Sequence, residues 1–216
     1  MAKPFASLHD APLLVHTLAA LQESPAIRWI VLAVRAGDEA AIAGLIKRHQ
    51  VTKALRPRRG GTSRAESVAR AFAAVPADAR WVLVHDGARP CVSPRLIAQA
   101  VQAGKRFGAV ACGLPASLTV KAVDDRGEVR LTLDRDHLWF VQTPQVFRRD
   151  WFAQALSCAN HGLDRFPDDA AIVESAGFTV RMIPGDPLNI KVTTQEDLML
   201  AEAILATRTN HGKGTP

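Results

Sequence analysis

Short apolar runs alternate along this chain with longer segments whose apolar residues recur at helical spacing, and that alternation leaves few folds open. WIVLAV (29–34), a short run at 51–55, RWVLVHD (80–86), AVACGLP (109–115), FTVRMIPGD (178–186) and NIKVT (189–193) read as strands. Helical spacing predicts helices over 12–22, 38–49, the stretch after GGTS (60–63), 93–107 and 195–207, with others within FRRDWFAQALSCA and DDAAIVESAG. The two periods in turn predict an α/β fold, a mostly parallel sheet with helices on both faces. At 216 residues the chain suits one domain, taken as 1–208 with 209–216 as a disordered tail.

One segment breaks the pattern. LTVKAVDDRGEVRLTLDR alternates apolar and polar residues around Asp124-Asp125-Arg126-Gly127, which predicts a β-hairpin inserted at about 116–136. Such an arm suits a partner subunit.

RWVLVHD is apolar on both faces until it ends in His85-Asp86, so it reads as a central strand, and the carboxyl ends of such strands are where ligands bind. A carboxylate there is costly unless solvated, paired or bound to a cation. Asp86 therefore has two readings: it holds Mg²⁺ or a substrate hydroxyl, with Gly87 and Ala88 admitting a ligand to the backbone, or it caps a turn and pairs with Arg89. Gly60-Gly61 precedes a helix start with Ser63 and Glu66 at capping-box spacing, so Thr62, Ser63 and Ser67 are either ligand hydroxyls or caps. Arg135 stands between two aspartates, as a surface ion pair or a phosphate fork. Lys191 inside a short apolar strand points to a nearby anion. His16 lies on a helix stripe as a core histidine.

Basic residues exceed acidic ones, giving a formal charge of +6, which suits nucleic acid, anionic lipid or phosphorylated small molecules. The densest basic stretch, RPRRGGTSR, has no interleaved aromatics and the chain has no tyrosine, which favours a phosphorylated small molecule. Three cysteines at wide spacings argue against disulfides or a zinc knuckle and for buried, reduced thiols. No secretory segment or apolar span is present, so the reading is a cytoplasmic protein without membrane contact. No Walker A, Gly-x-Ser-x-Gly or zinc-protease motif supports a hydrolase or ATPase.

GGTSRAESV, VLVHDGARP, LDRDHLWFVQTPQVF and NIKVTTQEDLMLAE, in this order and spacing, resemble the 2-C-methyl-D-erythritol 4-phosphate cytidylyltransferases of non-mevalonate isoprenoid biosynthesis. The resemblance covers almost the whole chain. It implies a Rossmann-like nucleotidyltransferase that dimerises through exchanged hairpin arms and converts CTP and the polyol phosphate to the CDP-linked alcohol and pyrophosphate with Mg²⁺. By the same resemblance, Lys3 and Lys191 stabilise charge at the attacked phosphate, Gly61, Thr62 and Ser67 meet cytosine and ribose, and Gly87 meets the nucleotide through its backbone. Asp86 meets the metal or the polyol hydroxyls; Arg89, Thr119, Arg135 and Thr143 meet the substrate phosphate and polyol, with Thr119 and Arg135 reaching the neighbouring subunit's site.

Family members begin with a strand and an AAGxGxRxG-type loop around the triphosphate, whereas this sequence opens inside that connection, at Lys3. The resemblance therefore implies a chain lacking that loop, by truncation or by nature. Pro4, Leu118, Pro167 and Asp169 replace residues common in the family. Two other readings stay open: a cytidylyltransferase for ribitol 5-phosphate, and a non-catalytic dimeric protein that binds a cytidine nucleotide.

Overall fold

The structure is a computed structural model that describes residues 3–159 and 162–211. A short 3-10 turn at Lys3–Phe5 leads into two short antiparallel strands, β1 (Ser7–Leu8) and β2 (Ala11–Pro12). Pro12 then caps α1 (Leu13–Glu23), its φ of −59° already suited to a helix start. After β3 (Ala33–Val34) come α2 (Glu39–Arg48), β4 (Arg58–Arg59) and α3 (Arg64–Phe72). The chain continues through β5 (Trp81–Val84), α4 (Pro94–Phe107), β6 (Ala109–Pro115) and the hairpin β7 (Val120–Val123) and β8 (Val129–Leu133). It ends with β9 (Trp139–Arg148), α5 (Arg149–Cys158), α6 (Asp169–Ser175), β10 (Arg181–Pro184) and α7 (Gln195–His211). That last helix runs past Thr207, where its sequence pattern weakens; 212–216 of the expected tail lie outside the described residues.

Four strands form the main sheet in the order β10-β6-β9-β5. β10 is parallel to β6, and β9 lies antiparallel between β6 and β5, so three of the four strands share one direction. Successive β6 residues face opposite sides. Val110 and Cys112 pack with Val146 against Leu14 and Leu18 of α1 and Leu96, Ile97 and Val101 of α4. Ala109 and Ala111 pack with Val82 and Phe147 against Phe152 and Ala155 of α5 and Ile172 and Val173 of α6. Both faces are thus apolar and covered.

β3 and β4 form a separate parallel pair, extended by one bridge between Ile30 and Ala54. Among the described residues, neither β3 nor β5 has a strand on its other edge, and residues 30–34 face β5 across a cavity of about 860 Å³ lined by Leu18, Leu21, Val68 and Phe72. RWVLVHD is therefore an edge of its sheet, not a central strand. With a partner on one side only, WIVLAV and 51–55 pair briefly instead of forming the full strands their composition predicts.

Two further sequence expectations are corrected. NIKVT forms no strand: the Val192 amide donates to the Ala88 carbonyl at 2.8 Å and the Asn189 side chain donates to the Thr143 carbonyl at 2.7 Å, which fixes this segment on a loop instead of a sheet. Cys158 is exposed at the end of α5, unlike the buried Cys91 and Cys112. The hairpin arm is as expected, closed by a turn with Gly127 at φ +78° and by Arg126 and Glu128 amides donating to the Asp124 carboxylate. His16 contributes a ring nitrogen within 2.7 Å of the Leu8 carbonyl.

Candidate active site

The carboxyl end of β5 delivers His85, Asp86 and Gly87 to one point, and three cations converge there. Arg64 Nε, from the first turn of α3, lies 3.1 Å from Asp86 Oδ1. Lys191 Nζ lies 3.1 Å and Arg89 Nε 3.5 Å from Asp86 Oδ2. The Arg64 guanidinium also reaches Asp169 Oδ2, with Nη1 at 2.8 Å. Three cations against two carboxylates leave this point with a surplus of positive charge, suited to an anionic ligand.

Burial opposes ionisation of Asp86, but the Arg64 and Lys191 charges outweigh it and hold its carboxyl below the usual range. Burial likewise opposes the Arg64 charge, which Asp169 and Asp86 more than restore. For Asp169 burial prevails and pushes the carboxyl up. Of the three cations, Lys191 is the most accessible, its side chain 44% exposed against 35% for Arg64 and 10% for Arg89. Arg89 is held from behind, donating from Nη1 to the Asn189 carbonyl at 2.9 Å. Lys191 is thus the cation freest to leave Asp86 for a phosphate.

A small network sets the backbone here. The Asp86 amide donates to Thr143 Oγ1 at 3.0 Å, and that hydroxyl lies 3.0 Å from His85 Nδ1. Burial keeps His85 neutral down to a pKa of about 4. The Arg89 carbonyl facing Nε2 can only accept, which leaves Nδ1 of the neutral ring to accept the Thr143 hydroxyl proton. The His85 proton then sits on Nε2, which faces the Arg89 carbonyl at 3.5 Å.

Beside this cluster, the Gly60-Gly61 turn enters α3. Ser63 caps the helix by accepting the Glu66 amide at 3.1 Å, as the capping spacing predicts. The Glu66 carboxylate turns back to accept the Thr62 amide at 2.6 Å and hydroxyl at 2.8 Å; these bonds, with Arg70, lower its pKa to about 2. Ser67 Oγ accepts the Gly61 amide at 2.9 Å and donates to the Ser63 carbonyl at 2.8 Å. A Cβ on Gly61 would strike the Glu66 side chain, so glycine is needed for this close approach.

The expected residues do not all meet. Asp86, Arg89, Thr143 and Lys191 form one cluster; Gly61, Thr62 and Ser67 form the adjacent turn. Gly87 joins the cluster to α1, its carbonyl accepting from Thr17 Oγ1 at 3.0 Å. Thr119 is exposed at the start of the arm, and Arg135 donates to the Ser117 carbonyl at 2.7 Å, so both belong to the arm. The Lys3 side chain lies outside the described residues. Arg64, His85 and Asn189 enter the site without having been read as site residues in the sequence, and Asp169 stood out there only as a departure from the family pattern. Arg64 is part of the basic stretch RPRRGGTSR, and the doublet Asp168-Asp169 is the one local sign of Asp169: the first aspartate caps α6, accepting the Ala171 amide at 2.9 Å, and leaves the second unexplained.

Among the described residues no three His, Cys, Asp or Glu side chains are grouped to hold a metal ion. Asp86, its side chain 12% exposed, is more open than the fully buried Asp169. Both Asp86 oxygens are paired with cations, so a magnesium ion held by Asp86 would need Lys191 to leave Oδ2 first.

The family model described as 2-C-methyl-D-erythritol 4-phosphate cytidylyltransferase matches residues 1–207. A protein of that name from Desulforamulus reducens is 39% identical over 207 residues, covering 95% of this chain and 88% of its own length. The crystal structure of 4-diphosphocytidyl-2C-methyl-D-erythritol synthase from Anaerococcus prevotii superposes with a TM-score of 0.84 at 29% identity, over 94% of this chain and 90% of its own. The 2-C-methyl-D-erythritol 4-phosphate cytidylyltransferase from Thermus thermophilus gives a TM-score of 0.80 at 33% identity, over 94% and 93%. With its Rossmann-like α/β architecture and a match along nearly its whole length, this chain belongs to the 2-C-methyl-D-erythritol 4-phosphate cytidylyltransferase family.

Proposed function

We propose that this chain is a cytidylyltransferase that joins CTP to 2-C-methyl-D-erythritol 4-phosphate, releasing pyrophosphate, in non-mevalonate isoprenoid precursor synthesis. The observation that carries the reading is the cation-rich cluster on Asp86 at the carboxyl end of β5, in a chain matched by the family model over 1–207. In the reaction an oxygen of the polyol phosphate attacks the α-phosphorus of CTP, a new P–O bond forms, and the bond to the departing pyrophosphate breaks. The nucleophile is already ionised, so no general base is required. Catalysis rests on bringing two anions together and holding the charge of the transition state.

Lys191 is the first candidate for that work, leaving Asp86 as the phosphates arrive; Lys3 is assigned the same role. Arg89 is already aimed at the same point and holds the substrate phosphate. Asp86, once released by Lys191, accepts a hydroxyl of the polyol, and Thr143 keeps its backbone in place while contacting the same substrate. The glycine turn with Gly61, Thr62 and Ser67 takes cytosine and ribose, with Gly87 presenting its backbone to the nucleotide. Mg²⁺, with Asp86 as its protein ligand, would neutralise charge on the triphosphate.

A homodimer is proposed through the arm, whose Leu118, Val123, Val129 and Leu131 are exposed, Leu118 to 72%. Apolar side chains on a two-stranded ribbon need a covering partner. Thr119 and Arg135 would then reach the site of the second copy. We take 1–208 as one domain, and we place the protein in the cytoplasm, where CTP is present and its three thiols remain reduced. No described helix is long and apolar enough to cross a membrane. Pyrophosphate release from CTP, measured with 2-C-methyl-D-erythritol 4-phosphate and separately with ribitol 5-phosphate, tests the assignment. Release with the first and little with the second is expected; preference for ribitol 5-phosphate, or release with neither, refutes it.

A further inference from the structure

Asp169 is a fully buried carboxylate with no aligned hydrogen bond to either oxygen among the described residues, its Oδ2 meeting Arg64 Nη1 as an ion pair at 2.8 Å. Burying a charge this way is unfavourable for the fold, and a neutral side chain of the same shape would be tolerated better. Among the described residues its one cationic neighbour is Arg64, and the same guanidinium continues to Asp86. The placement of Asp169 is itself fixed from the sheet. Gln145, buried in β9, donates from Nε2 to Asp168 Oδ2 at 2.8 Å and accepts the Ala170 amide at 3.0 Å, so its amide clasps the first turn of α6 on both sides of Asp169. Gln145 is also the residue paired with Val84, the last residue of β5. A continuous set of contacts therefore runs from the sheet through Gln145, α6, Asp169 and Arg64 to Asp86.

We infer that Asp169 is a positioning residue for the reaction: by anchoring the far end of the Arg64 guanidinium it fixes Asp86 Oδ1, which leaves Oδ2 turned to Lys191 and Arg89. Arg64 alone, one-third exposed on a helix surface, has several rotamers open to it; bound at both ends it has one. Without the anchor the Asp86 carboxylate rotates, and the two cations that meet the phosphates lose their common reference. The chemistry assigned to Asp86, Arg89 and Lys191 rests on the function proposed above, so the test includes a readout that does not need turnover.

The first readout is the Arg64 Nε–Hε resonance in a ¹⁵N spectrum, assigned by its disappearance in Arg64→Lys. In the wild type it should be protected from exchange with water, and in Asp169→Asn it should broaden or vanish. The second is kinetic: Asp169→Asn should lower kcat by about tenfold to a hundredfold, as sub-ångström misplacement of reacting groups does, while KM for CTP changes less than about twofold. Its melting temperature should be unchanged or higher. Arg64→Lys should be as impaired as Arg64→Gln, because an ammonium cannot span two carboxylates, and adding Asp169→Asn to Arg64→Gln should cost nothing more. A protected Arg64 resonance in Asp169→Asn overturns the inference. So does an unchanged kcat in that variant, or an additive double variant. A wild type without turnover sinks the proposed function, while the resonance still decides whether Asp169 holds Arg64.

Discussion

Lowering the pH from 7 toward 4 should destabilise this protein through one identifiable residue. His85 is neutral in the fold because burial opposes its charge, with a pKa of about 4 against 6.5 for a free histidine. Between those values the unfolded chain binds a proton that the folded chain refuses, so the unfolded state gains on acidification. The stability contributed by the neutral ring is complete above pH 6.5 and is lost as pH falls through the window to 4. At about 1.4 kcal/mol per pH unit, the gap corresponds to roughly 3 kcal/mol, an order-of-magnitude figure that is a large part of a typical domain's margin. Protonation would also make Nδ1 a donor, so the Thr143 hydroxyl beside the Asp86 amide would have to turn from donating to accepting. The assay is urea denaturation at half-unit steps between pH 7.5 and 4.5 on the wild type and on His85→Gln. The wild type should lose most of the 3 kcal/mol over that range and the variant should show a visibly flatter curve. Parallel curves for the two proteins would refute the assignment of His85 as a ring kept neutral in the fold.

Lys191→Ala should reduce kcat/KM by about a hundredfold or more, the scale of removing one group that meets developing charge, while melting temperature scarcely moves because the lysine is half exposed. Steady-state kinetics beside calorimetric melting check both parts. Gly104→Ala places a Cβ 2.5 Å from Val146 Cγ1, so α4 must lift from β9; denaturation should show a loss of about 1–3 kcal/mol. Val129→Asp with Leu131→Asp puts charges on the exposed face of the arm, and analytical ultracentrifugation should find a dimer for the wild type and a monomer for the double variant. A monomeric wild type would remove the arm from the account.

The helices were legible in the sequence because their signals are local. Pro12 opens α1, Ser63 and Glu66 open α3, and Ser93 before Pro94 opens α4, accepting the Leu96 amide at 3.2 Å. The arm was legible for the same reason, through its turn and its period of two. β9 was not, although it lies between two strands of the main sheet: Gln142, Thr143 and Gln145 are polar and Pro144 lacks an amide proton, all of which argue against a buried strand. The polar groups are instead satisfied at long range, Gln142 by Asp186 and Gln145 by the start of α6. The same contrast holds at the site. Asp86, Arg89 and Lys191 stand out because charge at the end of an apolar strand, or within an apolar run, needs a reason. Arg64 and Asp169 are ordinary where they occur in sequence, and only folding brings them within 2.8 Å of each other.

The most direct test of the central claim is to identify the product. ³¹P spectra of a mixture of this protein, CTP, Mg²⁺ and 2-C-methyl-D-erythritol 4-phosphate should show the triphosphate signals replaced by one diphosphate diester and free pyrophosphate in equal amounts. CTP that persists unchanged, or that breaks down equally without the polyol phosphate, would contradict it.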